Sequence, residues 1–141
     1  MEFSFPSLQH ISLSVKKALK EANLPLVPMT LFAKGANQSL STLATESAYD
    51  VLGLDWCVGP GTARAIVGDK VALQGNMDPN VLYGGKDAIT KEVARMCASF
   101  KGGKAPKGWI ANLGHGITPG VDPEDLRHFF ECIHKFSAIN K

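Results

Sequence analysis

Residues 27–56 read VPMTLFAKGANQSLSTLATESAYDVLGLDW, and the way this stretch divides decides the fold. Val27 to Ala33 is a nearly continuous apolar run, too short for a helix of its own, with Pro25 before it and Lys34-Gly35 after it. Such a run is expected to be a buried strand. Ala36 to Ser47 is helical in composition, and Asp50 to Trp56 is a second short apolar strand. Two strands joined through a helix, both apolar on either face, predict a right-handed βαβ unit in a parallel sheet.

The alternation continues in both directions. Upstream, Leu8, Ile11, Val15 and Leu19 recur at helical spacing, from Ser7 as a possible N-cap to a stop at Asn23 and Pro25. Downstream, Pro60 suits the first position of a helix that Gly68 closes, and Val71 to Gly75 is a third strand. A helix with Ile89, Val93, Met96 and Phe100 on one face follows. The glycine- and lysine-rich stretch from Lys101 to Lys107 then interrupts, and Trp109 to Leu113 makes a fourth strand. The last helix has Asp122 as cap, Pro123 in the first turn, Glu124 and Asp125 at the positive end of the dipole, and an apolar face of Leu126, Phe129, Phe130, Ile133 and Phe136. Four strand and helix units form one architectural unit of α/β class. Periodicity leaves open whether they make an open doubly wound sheet or half of a closed barrel.

Size and composition bound the function. At 141 residues the chain has the length of one domain but falls short of a complete barrel, which needs about 250 residues. Its hydrophobic fraction of 45% and charged fraction of 20% fit a packed soluble core rather than disorder or a membrane span. A net charge of +2 with scattered lysines gives no basic face, so nucleic acid is not an expected partner. Cys57, Cys97 and Cys132 are odd in number and lack CxxC spacing, which predicts neither a disulfide framework nor a zinc ribbon. A reducing, cytoplasmic setting follows as the default. No apolar run approaches the roughly 20 residues of a membrane helix, and with Met1 as the true start no targeting segment is present.

Parallel α/β folds place their reactive groups where loops converge at the C-terminal ends of strands. Those positions hold Phe32-Ala33-Lys34-Gly35, Gly53-Leu54-Asp55-Trp56, Leu73 to Pro79, and Asn112-Leu113-Gly114-His115-Gly116. His115 is the sharpest candidate: glycines on both sides leave room for a ligand, and an imidazole near neutrality binds or protonates a carboxylate. The plainer alternative is a turn histidine bonded to backbone. Asp55 either orients a substrate amine or a partner side chain, or caps the following helix. Lys34 is read as a solvated loop charge in preference to an anion ligand. Gln74, Asn76 and Asp78 either line a pocket or, with Pro79, begin a turn. His10, His128 and His134 fall on helices and are read as surface or packing residues. GxSxG, P-loop, GxGxxG and HExxH signatures are absent from the sequence.

Four motifs in order, PMTLFAKG (28–35), YDVLGLDW (49–56), LQGNMDP (73–79) and ANLGHGITPGVDPE (111–124), resemble the C-terminal part of the uroporphyrinogen decarboxylase family. The resemblance runs from about Phe5 to the last helix, and its four spaced motifs are far more specific than any one alone. It implies that residues 1–141 are a single partial domain, the C-terminal half of a (β/α)8 TIM barrel. The implied reaction removes carbon dioxide from the four acetate side chains of uroporphyrinogen, giving coproporphyrinogen for haem synthesis, without metal or organic cofactor.

The family's substrate-binding histidine carries over onto His115, whose implied role is to bind a substrate carboxylate. The family's central aspartate, carboxylate-holding arginines, tyrosine and serine precede the matched region, so no catalytic residue is assigned here and little activity is expected of the chain alone. Homo-oligomers are implied, because the family's enzymes are homodimers. Two other readings stand beside this one. A zinc-dependent methyltransferase of the same superfamily would use histidine and cysteine ligands, and Cys57 could approach His115. A half-barrel that pairs with itself or a full-length subunit would perform no chemistry; its two strand edges and uncovered apolar face favour association.

Overall fold

The computed structural model describes residues 3–101 and 108–138, so the lysine- and glycine-rich loop lies, from residue 102, outside the described residues. Along the chain come α1 (Ser4–Glu21), β1 (Thr30–Phe32), a 3-10 turn (Asn37–Ser39) running into α2 (Leu40–Glu46), β2 (Val51–Gly53), α3 (Pro60–Val67) and β3 (Ala72–Met77). A second 3-10 segment (Pro79–Gly84), α4 (Gly85–Lys101), β4 (Trp109–Leu113) and α5 (Pro123–Ser137) complete it. The strands form one parallel sheet in the order β1-β2-β3-β4. Each successive strand is thus added beside its predecessor, the progression of a barrel wall rather than the reversal of a doubly wound sheet.

One face of the sheet is covered. Leu31, Leu52 and Leu73 stand in register across β1, β2 and β3, and all three are buried. Against them pack Leu40 and Leu43 of α2, Ala63 and Val67 of α3, and Ile89, Val93, Met96 and Phe100 of α4, all buried. Each buried aliphatic side chain contributes about 2 kcal/mol in removing apolar surface from water. Trp109 fixes β4 to this layer twice: its ring stacks on Phe100 at 4.7 Å, and its indole N–H donates to the Gly75 carbonyl at 2.8 Å.

The helix ends follow their sequence signals. Pro60 opens α3, and Gly68 ends it at φ +57. Asp122 caps α5 by accepting from the Glu124 N–H at 2.8 Å. Phe129 and Ile133 of that helix are buried, while Phe130 remains 53% exposed.

Three expectations are corrected. First, α1 starts at Ser4, not after Ser7, because Pro6 falls in its first turn, where the missing N–H has no intrahelical partner to lose. Its inward face is not the Leu8–Ile11–Val15–Leu19 stripe: Ile11 and Val15 are exposed, and the buried residue is Ser12. The helix docks through Phe5 and Leu8, half-buried against the core, and through polar contacts. Ser12 Oγ lies 2.5 Å from the Ser47 carbonyl, Gln9 donates to the Glu46 carbonyl, and Lys16 pairs with Asp50 at 2.9 Å.

Second, the run from Val27 to Ala33 supplies a strand of only three residues. β1 is an edge, Pro28 has no N–H to give a ladder, and Val27 is 53% exposed. Third, the strands are not all buried on both faces, although Val51 and Leu52 of β2 are both buried. The row next to the leucines consists of Phe32, Gly53, Gln74 and Ile110 in register, and Phe32 and Ile110 are each 46% exposed. Four strands are too few to curl around and cover their own inner face.

Candidate active site at the C-terminal ends of the strands

The loops after β1 and β2 are bound into one body by a single carboxylate. Asp55, just beyond β2, is 4% exposed, and its oxygens accept from the Gly35 N–H (2.8 Å), the Asn37 side-chain amide (2.8 Å) and the Cys57 N–H (2.9 Å). Burial pushes this carboxyl up, but those three donors and the positive charge of Lys34 together outweigh it and hold the pKa below its ordinary value. Asp55 does not cap the following helix, whose N-cap is Gly59 without a side-chain bond; it fixes the Asn37 side chain and the backbone of the β1 and β2 loops instead.

Asn76, at the end of β3, extends the clasp. It is buried, and its amide donates to the Asp55 carbonyl at 2.8 Å and to the Val58 carbonyl at 2.7 Å. The polar cluster seen in the sequence is therefore divided among three tasks. Asn76 is a brace, Asp78 accepts from the Asn80 N–H to start the following turn, and Gln74 faces an open cavity.

The β4 loop reaches this body because residue 114 has no side chain. A Cβ on Gly114 would stand 2.5 Å from the Trp56 nitrogen and 2.9 Å from the Asp55 carbonyl carbon. Its N–H donates to the Met77 carbonyl at 2.8 Å, which completes the attachment to β3. The consequence is the position of His115. Its ring meets Trp56 edge-on, with centroids 5.8 Å apart and planes at 76°. The Lys34 ammonium from the β1 loop sits 5.1 Å from the centroid of the same indole.

His115 also lines a cavity of about 400 Å³. Phe32, Gly53, Gln74 and Asn112 from the open face of the sheet, with Leu126, Phe129 and Phe130 of α5, form the rest of its principal wall. The imidazole is exposed, and its weak 3.4 Å approach to the Gly116 carbonyl leaves it available to a ligand. A mostly apolar cavity with a few polar side chains has the make-up of a small-molecule site.

The remaining histidines lie on helices away from this cavity. His10 and His134 are exposed, and His128 Nε2 meets Thr90 Oγ1 at 2.8 Å, joining α5 to α4. Cys57 is exposed at the β2 loop, and among the described residues no group of three metal-binding side chains is assembled. Sequence reasoning missed Trp56 as the surface on which Lys34 and His115 meet, and Asn37 as an Asp55 partner. Trp56 at a strand end was the only available signal.

Comparison with known proteins matches residues 1–136 to the family model for uroporphyrinogen decarboxylase (URO-D). The chain belongs to the uroporphyrinogen decarboxylase family. Among its relatives, the uroporphyrinogen decarboxylase of Danio rerio is 49% identical over 136 residues, covering 96% of this chain and 36% of that protein. The corresponding enzyme of Schizosaccharomyces pombe is 46% identical over 138 residues, covering 97% and 38%. That of Saccharophagus degradans is 50% identical over 132 residues, covering 94% and 36%. The chain thus spans about a third of the length of these family members. A solved methyltransferase from Methanosarcina mazei shares the fold with a TM-score of 0.73, at 19% identity, over 97% of this chain and 36% of that one. That likeness bears on fold alone.

Proposed function

We propose that these residues form a single partial domain, the last four strand and helix units of a uroporphyrinogen decarboxylase barrel, and that His115 binds a carboxylate of uroporphyrinogen. The observation carrying this reading is the placement of His115: exposed on the cavity wall, at the C-terminal end of the last strand, in a chain of this family. The reaction converts the four acetate side chains to methyl groups, yielding coproporphyrinogen for haem synthesis.

Losing carbon dioxide from an acetate on a pyrrole requires protonation of a ring carbon, so that the ring accepts the electron pair left behind. The resulting methylene is then protonated. An enzyme for this reaction must stabilise a cationic pyrrole while holding the other carboxylates. The cavity supplies an apolar wall and an imidazole, but among the described residues no carboxylate lines it. Asp55, at the end of β2, has its oxygens engaged by loop donors. The groups that protonate and stabilise the pyrrole are therefore assigned to the portion of the barrel outside these 141 residues, and the chain alone is expected to have little activity. Its open sheet face and two unpaired strand edges support self-association or pairing with a complete subunit. Cys57 and Cys132, which form no disulfide, support a reducing, cytoplasmic setting, and among the described residues no helix is long and apolar enough to cross a membrane.

The test is to graft residues 1–136 into the Danio rerio relative in place of the segment they match, and assay coproporphyrinogen formed from uroporphyrinogen. The expected result is an active graft and an essentially inactive isolated chain. A folded graft that binds no substrate and forms no product would overturn the proposed function. Turnover by the isolated chain would overturn the assignment of chemistry to the absent portion.

A further inference from the structure

We propose that Lys34 is a second anchor for a substrate carboxylate, and that Lys34 and His115 form a two-point anion site built on Trp56. Three observations place the site. Lys34, Trp56 and His115 come from the ends of β1, β2 and β4, and both polar side chains touch the same indole. The loops that carry them are fixed rather than free: Asp55 holds the Gly35 N–H next to Lys34, and Gly114 lies against the Trp56 backbone. Lys34 is also exposed and enters no ion pair among the described residues, which leaves its ammonium open to a ligand although it lies within the field of Asp55.

A surface lysine is ordinarily a mobile solvated charge. Here the ammonium is drawn over an aromatic face, which limits the conformations its stem explores and lowers the entropy lost when an anion arrives. Asp55 is close enough to feel the lysine charge, yet its carboxylate oxygens are occupied by three N–H donors. The ammonium's contact is with the Trp56 face, and no hydrogen bond joins it to Asp55 among the described residues. An ammonium and an imidazole standing against one indole fit a molecule that presents separated carboxylates around an aromatic plane.

This inference rests on the proposed function for its substrate class, but its test is separate because all three residues lie within the chain. The 141-residue protein is titrated with uroporphyrin, the stable oxidised octacarboxylate, and binding is followed by tryptophan fluorescence. The wild-type chain is expected to be quenched. K34Q should weaken binding by about three- to fivefold at low ionic strength, the upper part of the scale expected for one exposed charge contact. K34R, which keeps the charge, should bind within about twofold of wild type, and 0.5 M sodium chloride should abolish the difference between wild type and K34Q, since screening is strong at that concentration. Circular dichroism of each variant confirms that this exposed position leaves the fold intact.

Absence of quenching in the wild type, equal binding by K34Q, or a K34R as weak as K34Q would each overturn the anchor role. An active graft combined with unchanged binding by K34Q would sink this inference while leaving the proposed function standing. An inactive graft combined with charge-dependent uroporphyrin binding would do the reverse.

Discussion

Replacing Gly114 by alanine would put a methyl group 2.5 Å from the Trp56 nitrogen, 2.9 Å from the Asp55 carbonyl carbon and 3.1 Å from the Trp56 Cα. All three are backbone atoms, so no rotamer change relieves the contact. One of the two loops must move. Overpacking a tight site costs about 1–3 kcal/mol, and a clash with backbone belongs at the upper end, about 3 kcal/mol. With a urea slope of about 1–3 kcal/mol per molar, the unfolding midpoint should fall by about 1 M or more. Gly116 is the internal control, since it flanks the same histidine but a Cβ there meets nothing within 4 Å. G116A should stay within about 0.5 kcal/mol of wild type. The assay is urea denaturation of both variants followed by tryptophan fluorescence. Equal midpoints for G114A and G116A would refute the claim that Gly114 exists to let the β4 loop lie on Trp56.

Other perturbations probe the same body of loops. N76A deletes donors to the Asp55 and Val58 carbonyls and strands both in a buried setting, which should cost about 2–3 kcal/mol in the same denaturation assay. A loss under 0.5 kcal/mol would show that the strand ends hold together without it. For Asp55 the lowered pKa means that its contribution to stability is fully present above the ordinary carboxylate range, about pH 4, and is lost as pH falls through the depressed value. D55N should therefore be less stable than wild type at pH 7, with the gap narrowing below pH 4. A gap that is constant across this range would mean that the carboxylate charge plays no part.

Much of the fold was legible because the interior of a helical layer repeats in sequence. Ile89, Val93, Met96 and Phe100 form a stripe that α4 buries completely, and the proline and glycine flanking α3 mark its two ends. The reading failed where burial depends on what stands opposite. Ile11 and Val15 have the spacing of a core face, but α1 turns Ser12 inward because the end of α2 offers it carbonyl groups. Phe32 and Ile110 read as core because their strands are apolar, yet the inner face of a four-stranded parallel sheet has no second layer within the described residues. Periodicity reports which side chains favour burial, and only tertiary structure supplies the surface that buries them.

The site was legible as positions and not as relationships. Strand ends pointed to Lys34, Asp55, Asn76 and His115, but their separation in sequence hid a common organisation around the β2 loop. Asp55 binds the β1 loop, Asn76 binds Asp55 and Val58 from β3, and Gly114 closes on Trp56 from β4. The β2 loop is thus the hub through which an imidazole and an ammonium from distant segments share one indole. Such a hub sits at the intersection of four strand ends and cannot be found by searching for a contiguous motif. It also explains why residues with ordinary sequence signatures deserve unequal treatment: Asp78, which starts a local turn, could be replaced by another capping residue, whereas Asp55 joins two loops whose spacing fixes Lys34 relative to Trp56.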